Sequence, residues 1–325
     1  MIKKRILLIS SDFFKYYELI SKELENQDWD VTFVNDRPSV NPFIKILIRK
    51  FRFLMSGYLN AFYLKKLNNA GIFDHVLIVK GEGITPSLIQ HIRKNHLRGK
   101  IFLYLWDGVK NSTGALANAK VVDKTFTFDP QDSEKYAFNL LPLFYVASVN
   151  QSVNRETSPQ WDISFIGSIH GDRLKVIDST IKNSKADTNF FIFVYFPSKL
   201  HFYFSKFFDG YFLNFAQHEL SLKTLPKQHA QAVFNNSLAV LDVHHVNQTG
   251  LTMRTLEVLS LGKKLVTTNA TIKLYPFYNP NCVWVIDREN PQIDPAFFVS
   301  EIPVGYTELL KAYELAQWVR TLTKI

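Results

Sequence analysis

At 325 residues the chain is long for one hydrophobic core and suits two domains, and its 46% hydrophobic and 21% charged content excludes a disordered protein. Lys+Arg 38 against Asp+Glu 29 leaves a formal charge of +9, which favours anionic partners: nucleotide diphosphates, acidic lipid or nucleic acid. A single cysteine, Cys282, excludes an intrachain disulfide and fits a reducing cytoplasm.

In chain order, Lys4–Ser10 reads as a buried strand, Asp12–Glu25 as an amphipathic helix and Trp29–Val34 as a second strand. That alternation is the mark of a parallel α/β sheet. The basic start imitates a signal peptide, but its apolar run Ile6–Ile9 is shorter than the roughly 7–15 residues of an h-region. No run approaches the ~18 apolar residues of a membrane span. The uncharged stretch Tyr136–Asn154 comes nearest, and Asn139, Pro142, Ser148, Asn150 and Gln151 break it. A nicotinamide-binding fold needs G-x-G-x-x-G after the first strand; Ser10-Ser-Asp-Phe-Phe14 has no glycine there, which argues against a dehydrogenase.

Pro42–Leu67 reads as a helix mixing Ile44, Leu47, Ile48 and Phe51 with Lys45, Arg49, Lys50 and Arg52. It either lies on an anionic membrane surface or covers the sheet with its basic side in water. His75–Val79 is a strand leading into Lys80-Gly-Glu-Gly-Ile-Thr-Pro86 and a helix, and Lys100–Leu105 a strand leading into Trp106-Asp107-Gly108. Ligands of open parallel sheets bind outside the carboxyl ends of the strands. Glu82, Asp107 and Asp12 are therefore the candidate ligand-facing carboxylates of this half, one of them a general base, the alternative for each being a helix cap or turn. Asp123–Phe128, a helix from Asp132, and Leu140–Phe144 complete this sheet, and the polar Ala147–Pro159 reads as an interdomain linker.

The second half opens on the strand Trp161–Ile166, then Gly167-Ser-Ile-His-Gly-Asp-Arg173 and a helix from Leu174, a glycine turn running into a helix N-terminus that can hold an anion. Phe190–Phe215 is unusually aromatic; its first part is a buried strand, and the rest, with Lys199 and Lys206, is either core, the favoured reading, or a membrane-facing patch. His229–Asn235 is a helix and Ser237–Val243 a strand ending in Asp242-Val-His244-His245. Adjacent histidines on an extended segment point opposite ways, so no metal cage is read here, but His244 is a candidate to line the site. Lys263–Asn269 and Cys282–Asp287 are the last strands, and Tyr306–Leu322 the last helix.

The segment Gly250-Leu-Thr-Met-Arg-Thr-Leu-Glu-Val-Leu-Ser-Leu-Gly262 reads as a turn, a helix apolar on every side and a glycine stop. Such a helix is buried, yet it carries Arg254 and Glu257, three apart on one face. Buried charges must be paired or bound. Either the two form an ion pair, or the arginine meets phosphate and the carboxylate accepts ligand hydroxyls.

Asn247-Gln-Thr-Gly-Leu-Thr-Met-Arg-Thr-Leu-Glu257 followed by Gly262-Lys-Lys-Leu-Val-Thr-Thr-Asn269 resembles the nucleotide-sugar site of GT-B glycosyltransferases, and among them the bacterial capsule and lipopolysaccharide type. The pattern Tyr104-Leu-Trp-Asp-Gly-Val-Lys-Asn111 resembles the same group. The resemblance implies two Rossmann-like domains with parallel sheets facing a cleft: residues 1–150 for the acceptor, 151–302 for the nucleotide sugar, and a C-terminal helix in 303–325 crossing back. It implies that Glu257 binds ribose and that Gly250, Thr252, Met253 and Arg254 lie beside the diphosphate, with Gly167 and Arg173 in a second diphosphate turn. Thr249 departs from the pattern, since many retaining members have glutamate there, and Ser168 stands in place of an arginine. The implied activity is sugar transfer from a nucleotide sugar to a polysaccharide, lipopolysaccharide or lipid-linked glycan. No metal or other cofactor is expected, an anionic membrane surface is a further partner, nucleic acid is not, and the place of action is the cytoplasm or the inner face of its membrane. The alternative is a scaffold of the same fold without turnover.

Overall fold

The computed structural model describes residues 3–12, 15–39, 41, 44, 47–48, 51, 54–147, 159–216 and 219–324. They form two compact units, Met1–Leu143 with Asn247–Gly250 and Tyr313–Ile325, and Phe144–Val246 with Leu251–Ala312.

The first unit is built on strands β1 (Lys4–Ser10), β2 (Trp29–Asn35), β3 (Phe73–Val79), β4 (Leu97–Leu105), β5 (Lys124–Thr127) and β6 (Asn139–Leu140). They run parallel in the order β2-β1-β3-β4-β5-β6. Ile6–Ile9, Val76–Val79 and Ile101–Leu105 are continuous buried runs. Strands covered on both faces require such runs. Helices α1 (Tyr16–Asn26), α2 (Ser56–Leu67), α3 (Pro86–His96), α4 (Ala115–Ala119) and α5 (Pro130–Tyr136) follow the strands. Two of them begin by chemistry visible in the chain. The Thr85 hydroxyl accepts from Leu88 N at 3.3 Å ahead of Pro86, and the Asp129 carboxylate accepts from Gln131 N and Asp132 N ahead of Pro130.

The second unit repeats the plan with β7 (Trp161–Ser168), β8 (Phe190–Tyr195), β9 (Leu220–Ser221), β10 (Ser237–Asp242), β11 (Lys264–Thr267) and β12 (Val283–Val285). All are parallel, in the order β12-β11-β10-β7-β8-β9. Its helices are α6 (Arg173–Lys182), α7 (Lys199–Phe208), α8 (Lys227–Asn235), α9 (Met253–Ser260) and α10 (Pro295–Val299). Gly262 ends the turn after α9 at φ +65°, a left-handed conformation that explains the glycine stop. The last helix, α11 (Leu315–Thr323), belongs to the first unit. Its buried Trp318 meets the Tyr104 ring edge-on at 4.7 Å, and Gln27 donates to the Ala316 carbonyl at 2.8 Å.

Several elements differ from their sequence reading. Pairing stops at Leu140, so Leu140–Phe144 is not a strand; Pro142 has no N–H to offer a ladder. Tyr306–Tyr313 is a 3-10 helix, and extended backbone at Glu314 separates it from α11. Residues three apart share a face in either kind of helix, so apolar spacing alone reads them as one. Helix α1 starts at Tyr16 rather than Asp12, after Lys15 in a left-handed conformation. The basic residues Lys45, Arg49, Lys50 and Arg52 lie outside the described residues, as does nearly all of the expected linker. No helix among the described residues is long and apolar enough to cross a membrane.

Candidate functional site

Helix α9 is tied by its first turn to the end of β10. The Thr252 hydroxyl donates to Asp242 Oδ2 at 2.8 Å and, as the helix cap, accepts from Thr255 N at 3.2 Å. Thr255 donates to the same Oδ2 at 2.9 Å. Asp242 is buried at the carboxyl end of β10, so the N-terminus of α9, with Met253 as its first residue, opens at the strand ends. Free N–H groups and the helix dipole make that end attractive to an anion.

Arg254 and Glu257 do not form an ion pair. The Arg254 guanidinium lies over the Phe234 ring at 4.9 Å and donates through Nη1 to the Ile166 carbonyl, while its buried Nε has no partner. Glu257 is half-buried, and its carboxylate receives neither a hydrogen bond nor an ion pair from the described residues. Burial raises its pKa, with Arg254 and Lys227 pulling the other way at longer range. A carboxylate in that condition is costly to keep unless a ligand uses it.

A cluster of charged and imidazole side chains ties together the ends of β7, β10 and β12. Arg173, at the start of α6, donates from Nε and Nη2 to the Val243 carbonyl (2.8 and 2.6 Å) and from Nη1 to the Ser168 carbonyl at 2.6 Å. It thereby clamps the end of β7 to the end of β10, and burial lowers its pKa to about 10. Gly167 is needed for this packing, because a Cβ there would stand 2.7 Å from the Phe165 ring and 3.3 Å from Arg173 Nη1. Arg288, just beyond β12, donates to Asp172 Oδ1 at 2.6 Å and to the His244 carbonyl at 2.7 Å. His244 Nδ1 lies 2.7 Å from Thr268 Oγ1 and 3.3 Å from Arg288 Nη2. A guanidinium can only donate, so Nδ1 accepts and Nε2 carries the proton. The His170 and His245 rings lie 5.3 Å apart. Burial, then Arg173 and His245, lowers His170 to about 3; burial, then Arg288, lowers His244 to about 4. Both imidazoles are therefore neutral at physiological pH, with Arg173 and Arg288 adding to the effect of burial.

The first unit carries a separate charged cluster at the ends of β2, β3 and β4. Lys80 Nζ reaches Asp107 Oδ2 at 2.8 Å and Glu82 Oε1 at 3.3 Å, and Arg37 Nη2 reaches Glu82 Oε2 at 2.8 Å. Burial alone would raise Glu82, but Lys80 and Arg37 more than offset it and hold the carboxyl below its ordinary value. Beneath lies Asp36, wholly buried, accepting from Tyr63 OH (2.8 Å), Glu82 N (2.7 Å) and Gly83 N (2.9 Å), with its pKa raised by burial. The structure thus joins Glu82 and Asp107 through one lysine. Asp12 is exposed beyond β1, apart from that network.

No protein-family model matches the chain, and no curated protein matches it either. Solved structures do resemble it. Sucrose-phosphate synthase from Thermosynechococcus elongatus superposes with a TM-score of 0.60 at 9% identity, over 99% of this chain and 98% of that one. Anabaena Alr3699/HepE in complex with UDP and glucose gives 0.59 at 10%, over 99% and 98%. The lipopolysaccharide outer core galactosyltransferase WaaB gives 0.57 at 12%, over 97% of both chains. The fold is GT-B.

Within this GT-B chain, Gly250 packs tightly on the end of β5. A Cβ at Gly250 would stand 2.4 Å from the Phe128 ring and 2.6 Å from the Phe128 carbonyl, and Gly250 N donates to Asp129 Oδ2 at 3.1 Å. Thr249 donates to the same carboxylate from its N (2.7 Å) and its hydroxyl (2.6 Å). Glycine is there for close approach to the end of β5. Sequence reasoning missed Asp129, Asp242, Lys80, Arg37 and Arg288. Asp242 and Lys80 stand inside the motifs read above, and a charged residue at a strand end was the available signal. Arg288 gave none, because its partners Asp172 and His244 lie far away in the chain.

Proposed function

We propose that the chain is a glycosyltransferase that moves a sugar from a nucleotide sugar to a glycan or lipid-linked glycan, at the inner face of a membrane or in the cytoplasm. The observation that carries this reading is the unpartnered Glu257 carboxylate, one turn into a helix that bears Arg254 and whose N-terminus is tied to Asp242 at the end of β10. Glu257 would accept the ribose hydroxyls. The diphosphate would lie against the α9 N-terminus, with Thr252 and Met253 beside it. Arg173, spent on three backbone bonds, would shape that pocket through the strand ends.

In the reaction an acceptor hydroxyl attacks the anomeric carbon, its C–O bond forms as the bond to the diphosphate breaks, and the leaving oxygen keeps the electron pair. Guanidiniums, the neutral His244 N–H and the helix dipole stabilise that developing charge without a metal. Asp107 is the better proton acceptor on the first unit. It shares Lys80 only, whereas Glu82 is held low by two cations.

Purified protein incubated with a panel of nucleotide sugars and cell-derived acceptor is expected to release the nucleotide together with glycosylated acceptor, and to do so equally in EDTA. Binding without release across the panel would mark a scaffold. An epimerised sugar with no acceptor product would mark an epimerase, an activity named for a structure of similar fold, the UDP-GlcNAc 2-epimerase from Neisseria meningitidis (TM-score 0.52, 11% identity, 98% of both chains).

A further inference from the structure

Helix α7 turns its apolar stripe to solvent. Leu200, Tyr203, Phe204, Phe207 and Phe208 occupy the i, i+3, i+4, i+7 and i+8 positions of one face, the spacing that ordinarily meets a core. They are between 54% (Tyr203) and 82% (Leu200) exposed, so the core reading fails for this face of the helix, although Phe212 and Phe215 farther along the same stretch are buried. The opposite side holds the helix down. Ser205 is buried, and the Phe202 ring meets Phe196 at 5.1 Å and Phe212 at 5.2 Å. Ser198 caps the start by accepting from His201 N at 3.1 Å. On the outer face Phe204 and Phe208 pack on each other at 4.7 Å, and Leu213 in the next turn, 77% exposed, extends the patch.

Charge settles what covers it. At 100° per residue, Lys199 and Lys206 fall side by side along one edge of the stripe and His201 along the other. The helix contains no acidic residue, and the chain carries +9 overall. A second copy laid on this face would bring lysine rims of equal sign together. An anionic bilayer meets both features, taking rings into the headgroup–acyl boundary and lysines against phosphates.

We infer that α7 is an interfacial helix through which the second unit docks on a membrane surface rich in anionic phospholipid. This deepens the membrane part of the proposed function and rests on it only for the place of the acceptor. Binding to vesicles is read without turnover, so either claim can fail alone.

The test is co-sedimentation of the full chain with vesicles of phosphatidylcholine, with and without phosphatidylglycerol. Wild type is expected to sediment only with the anionic vesicles. Phe204→Ser with Phe207→Ser should weaken that partition roughly tenfold or more through lost apolar insertion. Lys199→Glu with Lys206→Glu should weaken it by roughly the same factor through lost attraction to the surface. All variants should melt with wild type, since the altered side chains face solvent. Equal sedimentation with both vesicle types, or unchanged sedimentation of both double variants, overturns the inference. So does a wild-type dimer in ultracentrifugation that Phe204→Ser with Phe207→Ser converts to monomer, which would make the stripe a contact between copies.

Discussion

Replacing Glu257 with alanine is expected to weaken nucleotide-sugar binding by roughly 10- to 100-fold while leaving the fold intact, because hydrogen bonds to a charged acceptor contribute about 1.5–3 kcal/mol. The two halves of that expectation have one cause. Glu257 is half-buried and its carboxylate takes no bond from the described residues, so truncating the side chain orphans no donor among them. The neutral isostere sharpens the case. Burial raises the Glu257 pKa, so protonation favours the folded state: the stability it contributes is complete below the unfolded glutamate value and is lost as pH rises through the folded value. Glu257→Gln should therefore melt above wild type at pH 7, and this gain should shrink as pH falls toward about 4.3. Calorimetry of donor binding beside thermal melts checks both parts. A variant that binds as well as wild type removes Glu257 from the donor site, and one that unfolds makes it structural.

The second large effect is expected at Asp129. Its carboxylate accepts from Thr249 N, Thr249 Oγ1, Gly250 N, Gln131 N and Asp132 N. It both starts α5 and fixes Thr249–Gly250 to the end of β5. Burial would raise its pKa, but the bonds from Thr249, Gly250 and Asp132 outweigh that and hold it below the ordinary value. Asp129→Ala strands those donors, and a loss of about 3 kcal/mol is expected, or roughly 6–12 °C in the melt of the first unit. Here the sign is opposite to Glu257. A depressed carboxylate contributes stability above its unfolded pKa and loses it as pH falls through the folded value. The gap between wild type and Asp129→Asn should stay full down to about pH 4 and close only below it. A gap that widens on acidification, or a variant as stable as wild type at pH 7, contradicts the latch. Asp129→Asn should also impair turnover less than Glu257→Ala impairs binding, since it touches no donor atom.

How much of this could be read from residues alone depends on where the partners lie. The alternation of strands and helices, the runs Ile6–Ile9 and Ile101–Leu105 and the glycine stop at Gly262 are local signals, and the two parallel sheets follow them. The conflict between a greasy helix and its two charges was likewise local, and it pointed to Arg254 and Glu257. What each of the two charges meets was not local. Arg254 found Ile166 and Phe234, whereas Glu257 found nothing, and only the fold decides that. Arg173 and Gly167 were legible as a turn before a helix, but their use in joining β7 to β10 depends on a carbonyl at Val243. The side of α7 that faces water was illegible for another reason. Periodicity shows that a face is apolar and says nothing about what covers it.

The most direct measurement of the donor assignment is a crystal structure of the protein with UDP, as one nucleotide diphosphate of the panel, or with a UDP-sugar. Density for ribose should stand within hydrogen-bond distance of both Glu257 carboxylate oxygens, with diphosphate at the N-terminus of α9 beside Arg254 and Arg288. Nucleotide bound elsewhere, with Glu257 still unpartnered, would contradict it.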